Sequence, residues 1–167
     1  MLKIAISRCL LGEQVRYDGT AKSCNQLSLL KNYNCEIIAF CPEVSIGMGV
    51  PRLPIQLDLV AGEILARRKE DISFDYTRAL SDYAEEFAKL HSDLIAVINK
   101  KSSPSCGYKS TKLYDENELI HQHASGIFID RLQQLLPEIY IIDEEALSDH
   151  VNRQRFEAWL KQKSPAK

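Results

Sequence analysis

The sequence has no long apolar run. None of its apolar stretches approaches the roughly 18 residues that a membrane-spanning helix needs. The N-terminal segment MLKIAISRCLLG also lacks the small-residue cleavage pattern of a secretory signal. We therefore expect a cytoplasmic protein that has no membrane partner.

The sequence also lacks an excess of charge of either sign. Its 21 Lys and Arg residues nearly balance 23 Asp and Glu residues, so nothing predicts a surface that binds a polyanion such as nucleic acid. Hydrophobic residues make up 45% and charged residues 26% of the chain, which is ordinary for a globular protein. A length of 167 residues suits one domain, and we expect residues 1–167 to form it. The composition gives no signal of oligomeric state.

The cysteines lack any local pairing. There are five, an odd number, and no two of them form a C-x-x-C motif: Cys9, Cys24, Cys35, Cys41 and Cys106. In a reducing compartment, thiols serve chemistry or metal binding more often than structural disulfides. The positions of these cysteines in the fold therefore matter for function.

The pattern of apolar residues predicts an α/β fold. Four short, β-branched runs suit a buried parallel sheet: Leu2–Ser7, Glu36–Phe40, Leu94–Ile98 and Ile139–Ile142. Helical patterns occupy Asn25–Asn32, the segment that follows an N-cap at Asp75, ASGIFIDRLQQLLP and NRQRFEAWLKQK. The segment PIQLDLVAGEILAR predicts a β-hairpin that turns at Ala61–Gly62, with a bent helix as the alternative. We predict an open, mostly parallel, Rossmann-like sheet of about four strands, with helices on both faces and a small β-hairpin insertion.

Three cysteines follow three of the predicted strands. Cys9 comes two residues after the first strand, Cys41 directly after the second, and Cys106 in the loop after the third. In such a sheet, ligands bind at the carboxyl ends of the strands. Three converging thiolates suit zinc or an iron-sulfur centre, and a fourth, open position is typical of catalytic sites. The alternative is scattered buried cysteines, which is our interpretation of Cys24 and Cys35.

Three separated motifs resemble those of the thiouracil desulfurase family. They are SRCLLG followed by VRYDG, CPEVSIGMGVPR, and KSSPSCG, and the later LYD and SGIF agree with it; the resemblance runs from about Ile4 to Glu145. It implies a stand-alone cluster-binding domain in which Cys9, Cys41 and Cys106 hold a [4Fe-4S] cluster. It further implies that the fourth, open iron takes the sulfur of a thiolated base such as 2-thiouracil, and that the desulfuration is hydrolytic rather than redox.

Several side chains near these cysteines are candidates for catalysis. Glu43, two residues after Cys41, is the predicted general base, and its alternative role is to pair with Arg52 or Arg16 or to cap a turn. Ser103 and Ser105 are predicted to donate hydrogen bonds to a bound sulfide or a ring oxygen, although loop capping explains them nearly as well. Asp18 and Arg52 are predicted to bind the substrate, a small thioamide or thiolated base. Asp18 also fits an ordinary Asp-Gly turn.

Two other functional classes are consistent with the same residues. One is a non-catalytic carrier of sulfide or of an iron-sulfur cluster, and the other is a zinc site with three cysteine ligands. The pair His121 and His123 is expected near a helix start, where exposed histidines are solvated more often than metal-bound.

Overall fold

The computed structural model describes residues 1–164, so the last three residues of the SPAK segment, which we expect to fray, lie outside the described residues. The strands are β1 (Leu2–Ser7), β2 (Cys35–Phe40), β3 (Ile55–Val60), β4 (Glu63–Arg68), β5 (Leu94–Asn99), β6 (Thr111–Asp115), β7 (Glu118–Ala124) and β8 (Tyr140–Asp143). The helices are α1 (Pro42–Ser45), α2 (Thr77–Leu90), α3 (Ile127–Leu135), α4 (Glu144–Ser148) and α5 (His150–Lys163), with 3-10 helices at Arg8–Leu11 and Asn25–Asn32. No helix in this part of the chain is long and apolar enough to cross a lipid bilayer.

The four predicted strands form one fully parallel sheet. Its order is β2-β1-β5-β8, so the chain moves outward from β1 to β2 and then crosses back to β5 on the other side of β1. This reversal of strand order creates a crevice at the carboxyl ends of β1 and β5, where open α/β sheets bind ligands. The predicted fold class is confirmed.

Helices cover both faces of the parallel sheet because its strands are apolar on both sides. On one face, Ile4 and Ile6 of β1 share an apolar cluster with Phe156 and Leu160 of α5. On the other face, Ala5 of β1 belongs to a second cluster, which contains Phe87 of α2 and Phe128 of α3. The amphipathic C-terminal helix is therefore part of the core.

A second sheet, of order β4-β3-β6-β7, packs beside α2 and α3. The predicted hairpin is its β3–β4 pair, and the turn residues Ala61 and Gly62 have φ of 50° and 81°, as the tight turns that match strand twist require. The bent helix is thus wrong for this segment. The β6–β7 hairpin is an addition to the prediction, and the expectation of a helix start at His121 and His123 is wrong because both lie in β7.

Candidate active site

The three predicted ligand cysteines line one cavity at the carboxyl edge of the parallel sheet. Cys9 lies in the 3-10 helix after β1, Cys41 directly precedes α1, and Cys106 lies in the loop after β5. The cavity has a volume of about 220 Å³, somewhat below the roughly 300–1,000 Å³ of pockets for drug-sized ligands. Cys9 and Cys106 are buried, and Cys41 is partly buried. The cavity therefore suits a small ligand beside buried thiols.

The loop that carries Cys106 is held by the start of α3. The backbone N–H groups at a helix start have no partner within the helix, and here Ile127 donates to Pro104 O at 3.1 Å and Ile129 to Ser105 O at 3.2 Å. Gly126 allows this approach, because a Cβ there would lie 2.5 Å from the carbonyl carbon of Ser105. The SGIF segment thus positions the Cys106 loop.

Cys24 and Cys35 do not belong to this cavity. Both pack with the apolar cluster under α5, and the Cys24 thiol lies 3.5 Å from Oε1 of Gln26. The backbone N–H of Cys24 donates to Leu10 O at 3.0 Å, and this bond holds the segment around Cys24 against the 3-10 helix Arg8–Leu11. Their positions agree with a structural role.

Burial favours the protonated form of the three thiols in this cavity. The pKa of Cys9 is raised to about 12, chiefly by burial and also by the nearby Cys106 and Cys41, while Lys100 opposes the rise. Burial also raises the pKa of Cys41, against the N–H of Val44 and the charge of Arg52. The pKa of Cys106 is raised by burial as well, against the nearby hydroxyls of Ser103 and Ser7 and the nearby backbone of Lys100. The mutual effects show that the three thiols are electrostatic neighbours.

Glu43 is buried in the lining of the same cavity as the three cysteines, and both of its carboxylate oxygens have hydrogen-bond partners. Its exposed fraction is 8%, Arg52 Nε donates to Oε2 at 2.6 Å, and the Ser105 hydroxyl donates to Oε1 at 3.1 Å. Arg52 Nη1 donates in turn to the carbonyls of Val15 and Gly49, at 2.9 Å each. The pairing with Arg52 that the sequence suggested is therefore present, and it fixes the carboxylate at the cavity.

Ser103 and Ser105 form a chain of hydroxyls that leads to Glu43. Ser103 Oγ accepts the N–H of Cys106 at 3.1 Å and lies 3.0 Å from Ser105 Oγ. Because the Ser105 hydroxyl donates to Glu43, the Ser103 hydroxyl is free to donate to Ser105. The two serines thus cap the loop and also connect the Cys106 backbone with the buried carboxylate.

Asp18 is the one predicted site residue that does not line the cavity. Its side chain is exposed, and Oδ1 accepts the N–H of Thr20 at 3.1 Å and the Thr20 hydroxyl at 2.6 Å, as in the Asp-Gly turn that was its alternative interpretation. The neighbouring residue Tyr17 does line the cavity. The structure therefore gives substrate binding by Asp18 no support.

Sequence reasoning missed two groups beside the cavity. Ser7, the last residue of β1, lines it, and its Oγ lies 3.6 Å from Cys106 Sγ. Glu144 is buried next to the cavity-lining residues Lys100 and Lys101. Its Oε1 lies 2.7 Å from Lys100 Nζ, and its Oε2 accepts the N–H of Lys101 at 2.7 Å. A polar residue at the end of the apolar β1 run was the available signal for Ser7. No signal in the sequence marked Glu144, because a charged residue after a strand is common and does not by itself indicate a buried position.

Within residues 1–164, no three His, Cys, Asp or Glu side chains are arranged to hold a single metal ion. A cubane cluster differs from an ion in that each cysteine binds a different iron, so its ligands are spread more widely. The zinc alternative gains no support from these residues.

Fold and site together define an α/β protein with a thiol-lined crevice at the switch point of a parallel sheet. The profile of the family described as 2-thiouracil desulfurase matches residues 4–145, and the chain belongs to this family. The prediction of a desulfurase, an enzyme that acts on a carbon–sulfur bond, is confirmed.

A solved structure is similar over nearly the whole chain. It is the [4Fe-4S]-dependent thiouracil desulfidase TudS, with 28% sequence identity and a TM-score of 0.66, and the match covers 93% of this chain and 99% of that one. No curated protein sequence matches this chain.

The residues at the cavity fit an iron-sulfur cluster. Thiolates are the ligands that such clusters use, and the three here come from separate, well-anchored loops. Arg8, Arg52 and Lys100 line the same cavity and favour ionised thiols there. Donor chemistry and local charge therefore agree.

Proposed function

We propose that this protein hydrolyses a thiolated nucleobase such as 2-thiouracil, using a [4Fe-4S] cluster held by Cys9, Cys41 and Cys106. The observation that carries the proposal is the meeting of these thiols, from three strand ends, with the buried carboxylate of Glu43 in one cavity. Membership of the desulfurase family and the likeness to TudS support it.

A cluster held by Cys9, Cys41 and Cys106 would supply a soft Lewis acid for a thiocarbonyl sulfur, and this would make the attached carbon more electrophilic. The net reaction replaces C=S and water with C=O and hydrogen sulfide, so no electron is gained or lost. The residues of the chain then have to position the attacking water and accept the proton that it loses.

Glu43 is the proposed general base. Its carboxylate takes a proton from the attacking water at Oε1, the oxygen that also receives the Ser105 hydroxyl. The Arg52 contact at Oε2 fixes the carboxylate, so its orientation costs nothing during the reaction. Ser103 and Ser105 form a hydrogen-bonded chain that ends at Glu43, and this chain connects the carboxylate with a substrate bound in the cavity as charge develops.

Arg52 is also the proposed substrate contact. Its Nε and Nη1 are engaged by Glu43, Val15 and Gly49, whereas Nη2 has no hydrogen bond with the described residues. Arg52 lines the cavity, so this group is available for a ring oxygen of the substrate. One side chain would then hold both the base and the substrate.

The test uses anaerobically reconstituted protein with 2-thiouracil in ¹⁸O-labelled water. We expect repeated turnover, with sulfide and ¹⁸O-labelled uracil formed in equal amounts. The Glu43→Gln variant should keep the absorption of the cluster and lose activity by about 100-fold or more, the contribution typical of a general base. Glu85→Gln is the matched control, because Glu85 also pairs with an arginine, Arg131, at 2.7 Å, and neither residue lines the cavity.

Two results would contradict the proposal. Full activity in a cluster-loaded Glu43→Gln protein would remove Glu43 as the base. Less than one equivalent of sulfide released per cluster would instead support the alternative of a non-catalytic carrier.

A further inference from the structure

Ser7 makes an unusual contact for the last residue of a buried strand. Its exposed fraction is 3%, and its hydroxyl oxygen lies 3.6 Å from the sulfur of Cys106, a residue 99 positions away. The contact arises because β1 and β5 are parallel neighbours, which brings their carboxyl ends together. Sulfur forms longer hydrogen bonds than oxygen, so a distance of 3.6 Å between Ser7 Oγ and Cys106 Sγ is within hydrogen-bonding range.

The backbone fixes the direction of that hydrogen bond. The N–H of Lys100 donates to Ser7 Oγ at 3.1 Å, so this oxygen already acts as an acceptor while its own proton remains free. A cysteine that binds iron is a thiolate and has no proton to donate. With Cys106 in that state, the hydroxyl of Ser7 must be the donor.

We propose that Ser7 is a positioning residue that donates a hydrogen bond to Cys106 Sγ and thereby makes the bound cluster more electron-poor. The inference rests on the proposed function, because it assumes that Cys106 is a cluster ligand. A hydrogen bond to a ligand sulfur withdraws electron density from it, which raises the reduction potential of the cluster. A more electron-poor cluster also attracts the soft sulfur of a substrate more strongly.

The effect is specific to one ligand. Among the described residues, no side-chain hydroxyl lies within hydrogen-bond distance of Cys9 Sγ or Cys41 Sγ. The polar partner of Cys41 is the N–H of Val44 at the start of α1, and Cys9 has Lys100 and Glu144 as nearby charges but no hydroxyl partner. Cys106 is therefore the ligand most firmly anchored by the chain.

The test compares Ser7→Ala with the matched pair Ser7→Thr and Ser7→Val. Thr and Val are nearly isosteric, with a methyl group of Val in place of the Thr hydroxyl, so the strain from the methyl group that both add to Ser7 is comparable. Ser110→Ala is the control, because Ser110 Oγ accepts a backbone N–H of the same loop, from Ser102 at 3.0 Å, but lies away from the cavity. Circular dichroism verifies the fold of each variant.

The first readout is the midpoint reduction potential of the reconstituted cluster, measured by spectroelectrochemistry. We expect a more negative potential for Ser7→Ala and Ser7→Val than for the wild type, Ser7→Thr and Ser110→Ala. The second readout is the half-life of the cluster in excess chelator, which should fall about 10-fold without the hydroxyl, as for other residues that support a metal ligand. Neither readout depends on enzymatic turnover.

The outcomes separate this inference from the proposed function. Equal potentials and equal half-lives in Ser7→Thr and Ser7→Val, both loaded with cluster, would overturn the role of Ser7 and leave the proposed function intact. A wild-type protein that binds no cluster would overturn both. If Ser7→Ala unfolds, the Thr and Val pair alone decides.

Discussion

At the scale of single residues, the site depends on a carboxylate that is buried but fully partnered. Glu43 and Arg52 have side-chain exposures of 11% and 7%, and their contact of 2.6 Å lies at the cavity wall. A buried charge is tolerated only when it is paired and hydrogen-bonded. The same contacts that stabilise the buried charge of Glu43 also hold its carboxylate at the cavity, where the proposed general base would act.

We predict that Arg52→Lys destabilises the protein and weakens catalysis. A lysine has one point-like ammonium group and cannot contact Glu43, Val15 and Gly49 together as the guanidinium does. The free energy of unfolding in urea should fall by about 2 kcal/mol, part of the cost of breaking a buried pair. Arg78→Lys, in an exposed pair with Asp82 at 3.8 Å, should change it by less than about 0.5 kcal/mol. Equal effects of the two substitutions would contradict the importance of the buried contact.

We also predict that the stability of the cluster-free protein depends on Cys9 at alkaline pH. The pKa of Cys9 is raised to about 12 in the fold, chiefly by burial, whereas an exposed thiol has a pKa of about 8.5. The folded state therefore keeps a proton that the unfolded state has lost. The stabilisation is complete below about pH 8.5 and disappears as the pH rises towards 12.

Urea unfolding at pH 8 and pH 10.5 measures this effect. Between these values, the wild type should lose about 2 kcal/mol more stability than Cys9→Ser, in which the titrating group is absent. Identical losses in the two proteins would mean that the Cys9 thiol is not desolvated.

At the scale of elements, α3 is the support for the Cys106 loop. Its first N–H groups bind loop carbonyls, and Gly126 lies against the backbone of Ser105 and Cys106. On its other side, Ile127 packs against the apolar cluster of the second sheet. The second sheet therefore contributes to the site indirectly, by holding the helix that holds the loop.

Gly126→Ala tests this support. The new Cβ would meet Ser105 C at 2.5 Å and Cys106 N at 2.8 Å, so the loop or the helix has to move. We expect a loss of about 1–3 kcal/mol in unfolding free energy, typical of overpacking, together with weaker cluster retention. The control is Gln134→Ala near the exposed end of the same helix, which should stay within about 0.5 kcal/mol. Normal cluster retention in Gly126→Ala would contradict the role of α3.

Elements with a strong local pattern could be predicted from the sequence, and others could not. The strands of the parallel sheet are continuous apolar runs, and the β3–β4 turn contains Gly62. The β6–β7 turn instead places Glu116 and Asn117 at φ of 47° and 68° without a glycine, and six of the seven residues of β7 are exposed. Neither the turn signal nor the alternation of a half-buried strand was present, so this hairpin was missed.

The same limit applies to the site. Cys9, Cys41 and Cys106 could be placed at one edge because Cys41 directly follows a predicted strand and the other two lie in the segments that leave predicted strands. The contact of Ser105 with Glu43 joins residues 62 positions apart, and that of Ser7 with Cys106 joins residues 99 apart. Such contacts depend on the exact loop conformations, which no local pattern encodes.

At the scale of the whole molecule, the topology brings distant segments together around one cavity. The first, second and third strands of the parallel sheet in chain order each deliver one cysteine, and the order β2-β1-β5 places these three strand ends side by side. The partly buried Lys100 and the buried Glu144 form a pair at 2.7 Å that joins the loop after β5 to α4 beyond β8. The wall of the cavity is thus supported by contacts between segments that lie far apart in the chain.

The most direct test of this account is iron and sulfide analysis of anaerobically reconstituted protein, in the wild type and in five single Cys→Ser variants. We predict one [4Fe-4S] cluster per chain in the wild type, in Cys24→Ser and in Cys35→Ser, and loss of the cluster in the variants of Cys9, Cys41 and Cys106. Full cluster content in any of these last three variants, or its loss in either of the other two, would contradict the assignment of the ligands.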